Sequence, residues 1–222
     1  MDTNNLLNTI DKHLAAFSDR QKQGVAVALV LLIAGSAFAP EIDLLGIKIQ
    51  RHLVVFTGGW VFLFFHLSML DKSLRIRHLI NDLSDQDLPT AYRTIGLNSW
   101  SANPFAFFGA SGLALLTSAK SIGMLLFAHI LMNSWQLAYG KRSAGLVGWV
   151  LVQLVLPLLS LMLLVILWRT KREVRTRLIP LDSGLASSLT IQVRYERMWI
   201  AGFLIVGLLF YLWIAILQGQ IV

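Results

Sequence analysis

The chain has 222 residues, of which 56% are hydrophobic and only 14% charged, and its mean hydropathy is +0.66. A soluble domain is nearer half apolar and a quarter charged, so the expected class is an integral membrane protein, and the absence of cysteine excludes disulfides, thiolate metal sites and cysteine nucleophiles. The formal charge of +7 would point a soluble protein toward nucleic acid; here the placement of the charges reads as membrane topology.

Residues 1–23 form the first element. Leu6, Leu7, Ile10, Leu14 and Phe17 recur at helical spacing, with Asp2 or Thr3 available as a cap. The spacing predicts an amphipathic cytosolic arm. It either docks a cytosolic partner or the lipid surface, or packs on the protein's own cytosolic face. An apolar run, residues 24–39, follows and is closed by Pro40. It is short for a span, at ~1.5 Å per residue against ~30 Å of hydrocarbon. Ala37 and Ala39 flank Phe38 as in a signal-peptide cleavage site. The long mixed stretch ahead of the run and Pro40 just after that site favour a retained span.

The second apolar segment is 53–70. Leu74, Ile76, Leu79, Ile80 and Leu83 then keep a helical rhythm, which predicts continuation as an amphipathic cytosolic helix. His66 lies five residues before Asp71 and is expected near the interface. Asp82, Asp85 and Asp87 lack the ligand spacing of a calcium loop and read as a solvated acidic turn. Residues 105–138 are too long for one crossing and are interrupted by Lys120. They admit two crossings, or one re-entrant or interfacial helix at 105–118 followed by a crossing at 120–138. The last two segments, 146–168 with Pro157 inside and 198–217, are long enough to cross.

Lysine and arginine decide between the two counts. With a single crossing in 105–138 and the N-terminus inside, 15 of the 19 Lys and Arg face the cytosol. Only Lys48, Arg51, Lys141 and Arg142 face out. Two crossings would put the basic run 169–177 outside, against the positive-inside rule. The expected fold is therefore an all-α integral membrane protein. It is a single transmembrane domain, 24–219, with about five helices at 24–40, 53–70, 120–138, 146–168 and 198–217. The N-terminal amphipathic helix and a re-entrant helix complete it. No internal repeat of the kind seen in inverted-repeat transporters is visible.

Polar residues inside such spans are the candidate functional groups, because unsatisfied polar atoms in hydrocarbon cost several kcal/mol. His129, Asn133 and Gln136 share one face of the 120–138 helix, and Gln153 sits in the next span. Three readings stay open: glue between helices, the lining of a pore around an oligomer axis, and a proton- or substrate-coupled site at His129. Arg169, Lys171, Arg172, Arg175 and Arg177 form a juxtamembrane cluster. It reads as a topology anchor, or as a contact for anionic lipid headgroups or a partner. Gly58, Gly59, Gly109 and Gly112 are candidate helix-packing positions. The chain has no nucleophile elbow, no zinc-protease pair, no phosphate loop, and histidines without ligand spacing. No enzyme activity, metal or cofactor is expected.

The stretch IDLLGIKIQRHLVVFTGGWVFLFFHLSMLDKSLRIRHL, and the later LPLLSLMLLVILWRTKREV, resemble the membrane module that precedes pentapeptide repeats in some bacterial proteins. Gln50 and Arg51 stand where that module has its proline region, and no pentapeptide repeats follow. The resemblance implies a bacterial inner-membrane protein and carries over no catalytic residue. The expected function is an oligomeric inner-membrane component of a larger system, in its sharpest form a gated pore or membrane-disrupting effector in a defence or stress setting. The alternatives are a small-solute or ion transporter centred on His129, and a membrane anchor or scaffold for a soluble partner. Anionic lipids, further copies of the chain and a cytosolic protein are the expected partners; nucleic acid is not.

Overall fold

The computed structural model describes residues 2–36, 41–44, 47–98, 100, 102–106, 154–181, 201, 202, 205 and 209. These are predominantly helical. In chain order they form α1 (Thr3–Ser36), β1 (Glu41–Leu44), β2 (Ile47–Gln50), α2 (Arg51–Asn81), α3 (Leu88–Ile95) and α4 (Leu156–Leu178). The spans at 120–138 and 198–217 and the 105–118 helix lie outside the described residues, apart from Phe105, Ala106 and isolated positions of the last span.

The helical continuation past Asp71 expected from the rhythm of Leu74 to Leu83 is present, and the boundary drawn at residue 24 does not appear as a break. α1 runs unbroken from the amphipathic arm into the apolar run, through position 24. α2 continues through Asp71 and ends at Asn81. A change from apolar to charged side chains alters what surrounds a helix, not its backbone hydrogen bonding, so the 3.6-residue repeat carries straight through. The region after 36, expected to complete a span to residue 40, gives way at Glu41 to a strand. β1 and β2 pair antiparallel, with Glu41 opposite Gln50 and Asp43 opposite Lys48. α4 continues past the apolar run 146–168 to Leu178. Pro157 sits in its first turn, where a missing N–H costs nothing.

The helices pack by their apolar faces. α1 lies along α2, α2 along α4, and α3 against both α4 and α1. At the charged end, Ile10, Leu14 and Phe17 of α1 are wholly buried, with Leu6 and Leu7 beside them. Their cluster includes Ile76, Ile80 and Leu83 of α2, Leu88, Ala91 and Ile95 of α3, Phe105, and Val174 and Leu178 of α4. The stripe of the arm is thus spent on the chain's own core. Gly58 and Gly59 are buried on α2; Gly109 and Gly112 lie outside the described residues.

α3 is built from both ends. Ser84 Oγ donates to Asp87 Oδ2 at 2.7 Å, the Asp87 amide returns a bond to Ser84 Oγ at 3.3 Å, and Pro89 falls in the first turn. Gly96 closes it by donating its N–H to the Tyr92 carbonyl. A Cβ at Gly96 would collide with that carbonyl oxygen and stand 2.9 Å from the Phe105 carbonyl oxygen. Both obstacles are backbone and cannot rotate away. Gly96→Ala should therefore lower stability by about 1–3 kcal/mol, seen as an earlier unfolding midpoint in mixed detergent micelles.

Among the described residues no helix is long and apolar enough to cross a membrane. The apolar stretches 24–39 and 146–168 are described only to Ser36 and from Leu154.

Candidate functional site

The expected stripe of His129, Asn133, Gln136 and Gln153 lies outside the described residues. The polar chemistry that the structure does describe sits at two levels of the α1–α2–α4 bundle.

The first level is a buried polar layer. His66 is wholly buried on α2. Its Nδ1 lies 2.7 Å from the Phe62 carbonyl, and its Nε2 lies 2.8 Å from Ser160 Oγ on α4. A carbonyl only accepts, so Nδ1 carries the proton; in the neutral ring the Ser160 hydroxyl then donates to Nε2. Ser160 is itself 4% exposed, and Gln21 and Ser18 of α1 are 4% and 5% exposed. No sequence spacing pairs Ser160 with a histidine 94 positions earlier.

The second level is the charged end. Asp11 on α1 accepts from Asn98 Nδ2 at 2.8 Å and Trp100 Nε1 at 2.9 Å, both on the same oxygen. This ties the arm to the chain after α3. Asn103 holds that segment in shape: its Nδ2 donates to the Ile95 and Asn98 carbonyls, and its Oδ1 accepts from the Phe105 amide. Asn103 is 5% exposed, so its satisfied amide fixes one loop conformation.

The basic cluster divides by direction. Arg169 and Arg172 are exposed, with the Arg172 guanidinium 5.6 Å from the centre of the Trp168 ring. Lys171 and Arg175 are partly buried. Arg177 turns into the protein. Its Nε donates to Asp85 Oδ1 at 2.8 Å, its Nη1 to the Ile80 carbonyl at 3.2 Å, and its Nη2 to the Leu83 carbonyl at 2.6 Å. The last carbonyls of a helix lack intrahelical donors, and a guanidinium with five donors in a rigid fork fills that need. Asp85 is thus part of a clamp rather than a purely solvated turn. Arg77 and Glu173 approach at 3.7 Å beside it.

His13 on α1 lies within range of Lys72 and Arg75 on α2. Burial, then those two cations, push its pKa below 6.5; Asp71 opposes them. Asp71 is held below its usual carboxylate value chiefly by its hydrogen bond from Arg75, then by that from Lys72. A histidine with a lowered folded-state pKa takes up its proton more readily when the arm is undocked. Docking is then at full strength above about pH 6.5 and weakens as the pH falls from there toward the lowered value. Proteolysis of the arm followed against pH should show this loss, and His13→Gln should flatten the profile.

Among the described residues no group of His, Asp and Glu is placed to hold a metal ion. No family model, curated protein or solved structure matches the chain.

Proposed function

We propose that this chain is a multi-pass helical protein of a bacterial inner membrane, working as an oligomeric component of a larger system, with its charged end as the cytosolic platform. One observation carries the reading. Large apolar side chains stand exposed along α2 (Trp60, Phe64, Leu67) and α4 (Leu158, Leu161, Val165). The exposure gives way to charge at Asp71 and Arg169 on neighbouring helices. A contiguous apolar band of this kind is rare on a soluble monomer and suits lipid. The wholly buried, hydrogen-bonded His66 fits the same setting, because a polar group there must find its partner inside the protein.

The order of contacts supports the topology. His66 meets Ser160, and further along Arg77 meets Glu173, so α2 and α4 run parallel, with their charged ends together. Beyond α3 the described chain reaches Ala106 near that end. It re-enters at Leu154, about 36 Å of helix before Leu178. An odd number of crossings in between meets this requirement, in keeping with the single crossing at 120–138, an inside N-terminus and an inside basic cluster.

In its sharper form the component is a non-enzymatic gated pore or membrane-disrupting effector, lined by His129, Asn133 and Gln136 around an oligomer axis. A cytosolic protein docks on the platform, and no cofactor takes part. The test is dye release from liposomes holding the purified protein, together with its mass in detergent. An oligomer that releases dye, and loses release when all three stripe residues become leucine, supports the pore. A monomer with no release that still recruits a soluble partner contradicts it and leaves the scaffold reading.

A further inference from the structure

The five cations that follow the apolar face of α4 differ in where they stand. Arg177 is held by the end of α2, and Lys171 and Arg175 are partly buried. Of the five, Arg169 and Arg172 alone are exposed. Three positions apart, they lie about 60° from each other around the helix and about 4.5 Å apart along it, so they share one face. That face continues the line of exposed Leu158, Leu161, Val165 and Trp168. α4 runs toward the charged end, and helical side chains lean toward the helix N-terminus. Both guanidinium groups therefore reach back to the edge of the apolar band. Arg172 shows the direction: its guanidinium lies 5.6 Å from the centre of the Trp168 ring, one turn back. Trp168 is 53% exposed, at the depth where an amphipathic ring sits among headgroups. The neighbouring helix differs. On α2 the first cations past the apolar band, Lys72 and Arg75, are both bonded to Asp71. Among the described residues neither Arg169 nor Arg172 shares an ion pair, and the nearest acid in sequence, Glu173, pairs with Arg77.

We propose that Arg169, Arg172 and Trp168 form a binding site for the phosphodiester of an anionic phospholipid in the inner leaflet. The inference rests on the membrane reading above. Two guanidinium groups at the edge of hydrocarbon require water or a charged acceptor. A phosphate in that plane meets each planar fork with paired hydrogen bonds. Contact with the Trp168 ring limits where the Arg172 fork can swing, so less freedom is lost when the phosphate arrives. Beneath the two cations, exposed Val165 and Leu161 offer an acyl chain a continuous apolar track. A phosphate site above such a track selects a lipid over a soluble phosphate. A topology anchor needs only the positive charge; this site also needs the fork and the ring.

The test is native mass spectrometry of the full chain in detergent, titrated with phosphatidylglycerol and read as the dissociation constant of the first bound lipid. Arg169→Gln with Arg172→Gln should weaken binding about twenty-five-fold, roughly fivefold for each charge. Trp168→Leu should weaken it about threefold, the size of an exposed cation–π contact. Arg169→Lys with Arg172→Lys keeps the charge and should still weaken binding severalfold, because the paired hydrogen bonds are lost. Lys12→Gln with Lys22→Gln removes two exposed charges from α1 and should leave the constant unchanged. Equal weakening by the α1 and α4 glutamine pairs overturns the site, as does full affinity in the lysine pair. Displacement of the lipid by inorganic phosphate at equal concentration makes a soluble anion the ligand and overturns the lipid assignment. Release of the wild type from phosphatidylcholine vesicles by alkaline carbonate, without detergent, overturns the membrane reading itself, so the two failures are distinct.

Discussion

Phe17→Ala should destabilise the protein by about 3–5 kcal/mol, the usual range for deleting a fully buried aromatic side chain. Phe17 has no exposed surface and lies in the same cluster as Ile10, Leu14, Ile76 and Ile80. It is also the last apolar residue of the arm before the polar turn at Ser18. The cavity would open where α1 passes from platform to apolar band, so the platform ends of the helices would lose their common core. Unfolding in mixed detergent micelles, followed by helical circular dichroism, measures the loss. Limited proteolysis gives a second readout: the arm should become cleavable well before α2 does. Phe17→Leu keeps most of the volume and should cost under about 1.5 kcal/mol. Equal, small effects of both variants would show that the arm is not part of the core.

Arg177→Gln should cost about 2–3 kcal/mol, and Asp85→Asn under about 1 kcal/mol. The asymmetry follows from what each change leaves behind. Losing the guanidinium removes the donor to the Leu83 carbonyl and to Asp85, while the Ile80 carbonyl keeps its bond from the Leu83 amide, and charged hydrogen bonds of this kind are worth about 1.5–3 kcal/mol each but do not add fully. The Arg177 side chain is only 25% exposed, whereas Asp85 is 63% exposed, so the carboxylate rejoins water cheaply. Unfolding midpoints of the two single variants check the order. A larger loss in Asp85→Asn would mean that the ion pair, and not the helix-end carbonyls, holds the clamp.

The platform was legible where a single helix face carries the signal. Leu6, Leu7, Ile10, Leu14 and Phe17 recur at helical spacing, and so do Ile76, Ile80 and Leu83 beyond Asp71. Such a stripe shows that a face is buried, not what buries it, and the choice between a partner and the chain's own core had to come from packing. The hairpin escaped notice because four-residue strands give too little alternation to outvote the apolar runs on either side. Ile42 and Leu44, then Ile47 and Ile49, are its whole signal, with Leu45 and Gly46 between.

The contacts that shape the site are long-range. Asp11 meets Asn98 and Trp100, His66 meets Ser160, and Arg177 meets the end of α2. No spacing rule links residues separated by 87 to 97 positions. Charge counting made Arg177 one of five equivalent cations; only the carbonyls at the end of α2 set it apart.

Sided cysteine labelling tests the membrane arrangement most directly, because the chain has no cysteine of its own. Lys48 on the hairpin, Gln86 before α3 and Thr176 near the end of α4 are all exposed, so each can carry a single cysteine. The account predicts that a membrane-impermeant maleimide applied to spheroplasts labels Lys48→Cys alone, and that Gln86→Cys and Thr176→Cys react only in inverted vesicles. Labelling of Gln86→Cys and Thr176→Cys from opposite sides, or of all three positions from one side, would contradict it.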